Sequence, residues 1–160
     1  MDERLNRDHL DLLRTFIDGD VRFLVVGAHA VGYHVEPRAT GDLDVWIEPT
    51  PDNAGRAHAA LAAFGAPLSE LTVTDLATRG IVFQMGLPPN RIDVMTEISG
   101  VEFADAWPAR VEASVGGLRF PVIGFEDLLA NKRAAGRPKD AGDIDALERV
   151  AKRCGTRPGG

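Results

Sequence analysis

The chain has 160 residues, 44% of them hydrophobic and 26% charged, with a formal net charge of -6. That is enough chain to bury a substantial core in one domain of ordinary size. No apolar run approaches the roughly 20 residues of a membrane span, and the acidic balance argues against broad nucleic-acid binding, which relies on Lys and Arg to neutralise phosphates. The one cysteine, Cys154, excludes an internal disulfide and a Cys-based zinc framework, so a reducing cytoplasm is the expected location. The opening MDERLNRDHLDLLR is charged and amphipathic, unlike a signal peptide. One domain over residues 1–155 is expected, followed by a flexible tail over residues 156–160.

In chain order, Leu10, Leu12, Leu13, Phe16 and Ile17 mark an amphipathic helix over residues 8–18 that ends at Gly19. Residues 22–26 read as a buried strand, Gly27 breaks it, and residues 28–33 open a helix whose first amides point at any anion placed there. A strand over 43–48 stops at Pro49-Thr-Pro, and Thr50 or Asp52 caps an alanine-rich helix reaching about Phe64. Residues 72–78 form a short helix. Strands over 81–85 and 91–95 make a hairpin through Gly86-Leu-Pro-Pro-Asn, a helical turn or two fills 101–107, and a second hairpin folds 111–115 onto 118–122 around Gly116-Gly117. The end is helical, over 125–134 and from about Lys139 to Lys152, with a break at Gly136-Arg-Pro138. The fold class is α+β: a mixed β-sheet with helices on one side and a C-terminal helical pair.

The chemistry concentrates where Val25-Val-Gly-Ala-His-Ala-Val-Gly is followed by Arg38-Ala-Thr-Gly-Asp42-Leu-Asp44-Val-Trp-Ile. Side chains at i and i+2 of a strand share a face, so Asp42 and Asp44 project together while Leu43, Val45 and Ile47 pack behind. In the later strand Arg91, Asp93 and Met95 face one way, which makes Asp93 a third carboxylate able to share that face. Crowded carboxylates repel, and their natural partner is a hard cation: Mg2+ (or Mn2+), with two ions able to hold the attacking and leaving oxygens of a phosphoryl transfer. Asp143-Ile-Asp145 repeats the pattern on a helix, where i and i+2 diverge by about 200° and cannot converge on an ion pair. His29 and His34, five apart on a helix, are poorly spaced for zinc. Trp46 shares the aspartate face and is read as core or rim packing, with stacking on a base or ribose as the alternative.

Gly27-Ala28, then Asp42-x-Asp44 on the next strand and a lone Asp93 on a later one, resembles the nucleotidyltransferase superfamily that includes DNA polymerase beta. The fuller pattern adds Pro37-Arg-x-Thr40 before the aspartates and Asn131-Lys-Arg-Ala-Ala-Gly-Arg-Pro-Lys-Asp140 near the end. It is similar to the small bacterial nucleotidyltransferases related to the AbiEii abortive-infection toxins. The resemblance covers roughly residues 20–148 and departs from the family at Ala28, where Gly or Ser is usual.

The resemblance implies transfer of a nucleoside monophosphate from an NTP to a hydroxyl acceptor, be it RNA such as a tRNA end, a protein or a small molecule, with release of pyrophosphate. Asp42 and Asp44 would bind both metals and Asp93 the metal that activates the hydroxyl; the alternative for Asp93 is a surface pair with Arg91. Gly27 and the amides of Ala28 and His29 would meet the triphosphate, or Gly27 serves only the tight turn. Arg38 either touches phosphate or braces the aspartate loop, with Thr40 beside it. Lys132 and Lys139 belong to the late motif as nucleotide-binding residues, while Asp140 either caps the last helix or, with Asp143, leans toward the nucleotide or fixes Lys132. The alternative function is a catalytically weak component of a toxin-antitoxin or abortive-infection system that works by binding a partner protein; a metal-dependent phosphohydrolase is a weaker third.

Overall fold

The computed structural model describes residues 5–36, 41–87 and 90–153. Arg38, Thr40, Cys154 and the tail over 156–160 lie outside those residues. The elements run α1 (Arg7–Asp18), β1 (Phe23–Val26), α2 (Gly27–His34), β2 (Leu43–Ile47), α3 (Pro51–Phe64), α4 (Val73–Leu76), β3 (Val82–Met85), β4 (Ile92–Met95), α5 (Phe103–Ala106), a 3-10 turn (Trp107–Ala109), β5 (Val111–Val115), β6 (Leu118–Val122), α6 (Phe125–Ala135), a second 3-10 turn (Pro138–Asp140) and α7 (Ala141–Arg153). The six strands form one mixed sheet in the order β3-β4-β2-β1-β6-β5. β1 runs antiparallel to β2 and parallel to β6, and β2 runs parallel to β4.

Local chemistry accounts for most boundaries. The Asn6 side chain accepts the His9 amide to start α1, and Thr50 rather than Asp52 caps α3, with Pro51 in the first turn and Gly65 left-handed at its end. Thr72 and Asp75 form a reciprocal capping box on α4. Gly116 and Gly117 both have positive φ, which a two-residue hairpin turn of the right twist requires. α7 begins at Ala141, directly after the second 3-10 turn, whose Asp140 side chain is bound to Lys132 and Arg137.

Strand alternation sends Phe23, Val25, Leu43, Val45 and Ile47 to one face, where α1 packs with Phe16 edge-on to Phe23 at 5.4 Å. Helices were expected on one side only. Instead α5 covers part of the opposite face, where Phe103 meets Trp46 edge-on at 5.0 Å, so Trp46 is core, 1% exposed. Asn53 of α3 is fully buried; its amide bridges the Arg22 carbonyl and amide and the Glu48 carbonyl, locking α3 onto β1 and β2. Among the described residues no helix is long and apolar enough to cross a membrane.

Candidate active site

The parallel pairing of β2 and β4 sets Asp44 directly opposite Asp93, while the antiparallel pairing of β1 and β2 sets Asp44 opposite Val26, the residue before Gly27. Three strand ends therefore meet where α2 begins. Gly27 has φ +69°, and its missing Cβ leaves the space that the Asp44 carboxylate fills. Residues from β1 to just beyond α6 enclose a cleft of about 290 Å³ lined by Gly27, Asp44, Met95, Asn131, Lys132 and Arg137, among others. No side chain caps α2, so its first amides are left for a ligand.

Burial, then the charges of Asp93 and Asp42, pushes the Asp44 carboxyl up to about 6, against the pull of Arg91 and Lys132. Burial also raises Asp93, with Arg91 opposing it. Asp93 Oδ1 is buried without a hydrogen bond. Asp42, just before β2, is drawn toward Arg91, whose Nη2 lies 2.8 Å from Asp42 Oδ2.

Among the described residues no three His, Cys, Asp or Glu side chains form a ready-made metal cage. Mg2+ does not need one: it is commonly held by one or two carboxylates with substrate phosphates and water completing the octahedron. Asp44 and Asp93, registered on adjacent strands, with Asp93 Oδ1 buried and without a hydrogen bond, fit that demand.

Lys132 of α6 reaches the cleft but is only 5% exposed, its Nζ 3.0 Å from Asp140 Oδ1 and 3.4 Å from Asp143 Oδ2. Burial opposes the charge on Asp140, but hydrogen bonds from Arg137 and Lys132 outweigh it and hold the carboxyl below its usual range. Of the alternatives for Asp140 and Asp143, the structure has them fixing Lys132. Asp145 points elsewhere, to Arg149, as helical spacing requires. Lys139 is exposed in the 3-10 turn and does not line the cleft. The His29 ring is turned to a small cavity shared with Leu5, Val25 and Tyr33, edge-on to His9 at 5.8 Å, so only its backbone can serve the cleft; His34 bonds the Ile123 carbonyl. Sequence reasoning left Met95, Asn131 and Arg137 out of the site. The late motif contained the last two, but nothing local signalled that α6 would face β2.

A profile of the family described as "Nucleotidyl transferase of unknown function (DUF2204)" matches residues 6–157. The chain belongs to this family. No curated protein matches this DUF2204 chain. Among solved structures it is similar to the antibiotic-resistance factor ANT(2'')-Ia, with a TM-score of 0.59 and 14% identity over 92% of this chain and 82% of that one. ANT(2'')-Ia has also been solved in complex with adenylyl-2''-tobramycin (TM-score 0.55, 15% identity, 91% and 86% covered). The lincosamide antibiotic adenylyltransferase LnuA, bound to lincomycin, matches with a TM-score of 0.55 and 13% identity over 92% and 99% of the two chains. At these identities the likeness establishes the nucleotidyltransferase fold that the DUF2204 chain shares with them.

Proposed function

We propose that this DUF2204 chain is a cytoplasmic, metal-dependent nucleotidyltransferase that transfers a nucleoside monophosphate from an NTP to a hydroxyl acceptor and releases pyrophosphate. The observation that carries this reading is the registered pair of Asp44 and Asp93 on adjacent parallel strands, set against Gly27 at the uncapped start of α2.

In this reading Asp42, Asp44 and Asp93 hold two Mg2+ or Mn2+ ions, which supply charge neutralisation for the oxygens of the transfer. The amides of Ala28 and His29 and the Lys132 ammonium bind the triphosphate, with Asp140 and Asp143 keeping Lys132 aimed. Arg38 and Thr40 act from the segment before Asp42, and Lys139 is left out. Asp93 orients the acceptor hydroxyl and takes its proton as the oxygen bonds to the α-phosphorus and the bond to the β-phosphate oxygen breaks. Catalysis comes from positioning and electrostatics, without a covalent enzyme intermediate.

The solved relatives carrying adenylyl-2''-tobramycin and lincomycin support a small-molecule hydroxyl as the first acceptor class to screen, ahead of protein or RNA. The net charge of -6 points the same way. A second reading, a partner-binding role in a toxin-antitoxin or abortive-infection pair, is favoured by two observations: Ala28 in place of Gly or Ser, and the engagement of Asp42 by Arg91.

Calorimetry with each NTP and Mg2+, on the native chain and an Asp42→Asn/Asp44→Asn variant, separates the two. Binding that needs both metal and aspartates supports the enzyme. A folded native chain that binds no NTP with either Mg2+ or Mn2+ points to the partner-binding role.

A further inference from the structure

Arg91 is the last residue before β4 and Asp42 the last before β2. The Leu43 amide donates to the Arg91 carbonyl at 3.0 Å, so the two side chains leave neighbouring strand ends. Arg91 Nη2 donates to Asp42 Oδ2 at 2.8 Å. Its Nε stands 3.5 Å from Asp93 Oδ1 without a hydrogen bond, and both of these atoms are buried with no other hydrogen-bond partner. The guanidinium is thus well seated on one carboxylate and poorly seated on the next. Asn90 fixes the base of the side chain, since its Oδ1 accepts from Asn6 Nδ2 at 2.6 Å at the start of α1.

Lys132 and Arg137, the other cations at the cleft among the described residues, are already bound to Asp140, and Lys132 also to Asp143. Among the described residues Arg91 is therefore the cation seated on the strand-end carboxylates Asp42 and Asp93. A guanidinium and a divalent ion between the same two carboxylates exclude one another, because each neutralises what attracts the other.

We infer that Arg91 is a positioning residue that serves as a resident counter-cation, seated between Asp42 and Asp93 until a metal ion arriving with the triphosphate displaces it. The inference rests on the nucleotidyltransferase reading and adds an order to it: the chain without nucleotide loads metal poorly, and the triphosphate brings the ion in.

Free Mn2+ can be counted by electron paramagnetic resonance in titrations of the native chain, Arg91→Gln and Arg91→Lys, with and without a non-hydrolysable NTP analogue. Without nucleotide, Arg91→Gln should bind Mn2+ about three- to tenfold tighter than the native chain. Arg91→Lys keeps the charge but cannot span two carboxylates, so it should recover part of that gain, and the differences should narrow once the analogue is present. Arg91→Gln binding no tighter than the native chain overturns the inference. So does Arg91→Lys matching the native chain while Arg91→Gln gains, since Arg91 would then act only as a distant charge. Circular dichroism checks folding; if Arg91→Gln does not fold, Arg91→Lys decides alone. The underlying reading is tested separately by the native chain's metal-dependent NTP binding and its loss in Asp44→Asn. NTP binding with a flat Arg91 series removes only the counter-cation; a tighter Arg91→Gln in a chain that never binds NTP keeps the counter-cation and removes the transfer activity together with the triphosphate-first order.

Discussion

Asp44 and Gly27 are built against each other. Val26 pairs with Asp44 across β1 and β2, and the carboxylate lies over the Gly27 Cα, so that a Cβ on residue 27 would collide with Asp44 Oδ2. The same glycine holds φ +69°, a backbone conformation that L side chains rarely adopt. Gly27→Ala should therefore cost about 1–3 kcal/mol in chemical denaturation and abolish metal-dependent NTP binding by displacing Asp44. Unchanged stability together with native NTP binding would show that Asp44 does not depend on that space.

Asp44 also sets a pH dependence. Its carboxyl is raised from 3.8 to about 6, first by burial and then by Asp93 and Asp42. The native chain thus keeps a proton that the unfolded chain releases, and its stability falls as pH rises between roughly 4 and 6, by something on the order of 2 kcal/mol. Asp140, held low, slopes the other way, so the contribution is read as the difference between the native chain and Asp44→Asn across pH 4–7. Above pH 6, Mg2+ added together with an NTP should restore stability to the native chain and leave Asp44→Asn unmoved. A native-minus-variant difference that is flat with pH contradicts the buried, crowded carboxyl.

Lys132 and Asp140 form a buried ion pair, 5% and 2% exposed. Lys132→Met strands a buried carboxylate with Arg137 as its remaining close cation and should destabilise by about 3–5 kcal/mol. Adding Asp140→Leu should recover much of the stability while leaving NTP affinity low, which separates the structural role of the lysine from its role in the cleft. Lys139→Ala, on an exposed turn, should shift NTP affinity less than about twofold. A larger effect would bring Lys139 back into the site.

Trp46 lies on the aspartate face yet is enclosed by Phe103. Trp46→Ala should cost about 3–5 kcal/mol. The milder Trp46→Phe should leave NTP affinity within about twofold, as expected of a side chain that supports the strand and does not stack on a base. A selective loss of NTP affinity in a stable Trp46→Phe would reverse that assignment.

Much of this arrangement is local and was legible as sequence. Period-two alternation in the strands, Gly27 after an apolar run, the Gly116-Gly117 hairpin and the break at Gly136-Arg-Pro138 each involve neighbours within a few residues, and local backbone preference decides them. Side-chain alternation also made Asp93 a carboxylate able to share a sheet face with Asp44, and the two stand in register. Pairing and burial were a different matter. That Asp44 stands opposite Asp93 depends on β4 joining β2 in parallel, and that Arg91 takes Asp42, 49 residues away, depends on the same register. The burial of Lys132 with Asp140 and Asp143 follows from α7 folding back on α6, and the Asn53 clasp from α3 docking on two strands. The turn of the His29 ring away from the cleft follows from the contact of α2 with α1. Which carboxylates exist, and which side chains alternate with them, follows from the chain alone, because alternation is a property of one strand. Only the tertiary structure decided which cation each of them meets, because that is set by strand order, register and desolvation across distant segments.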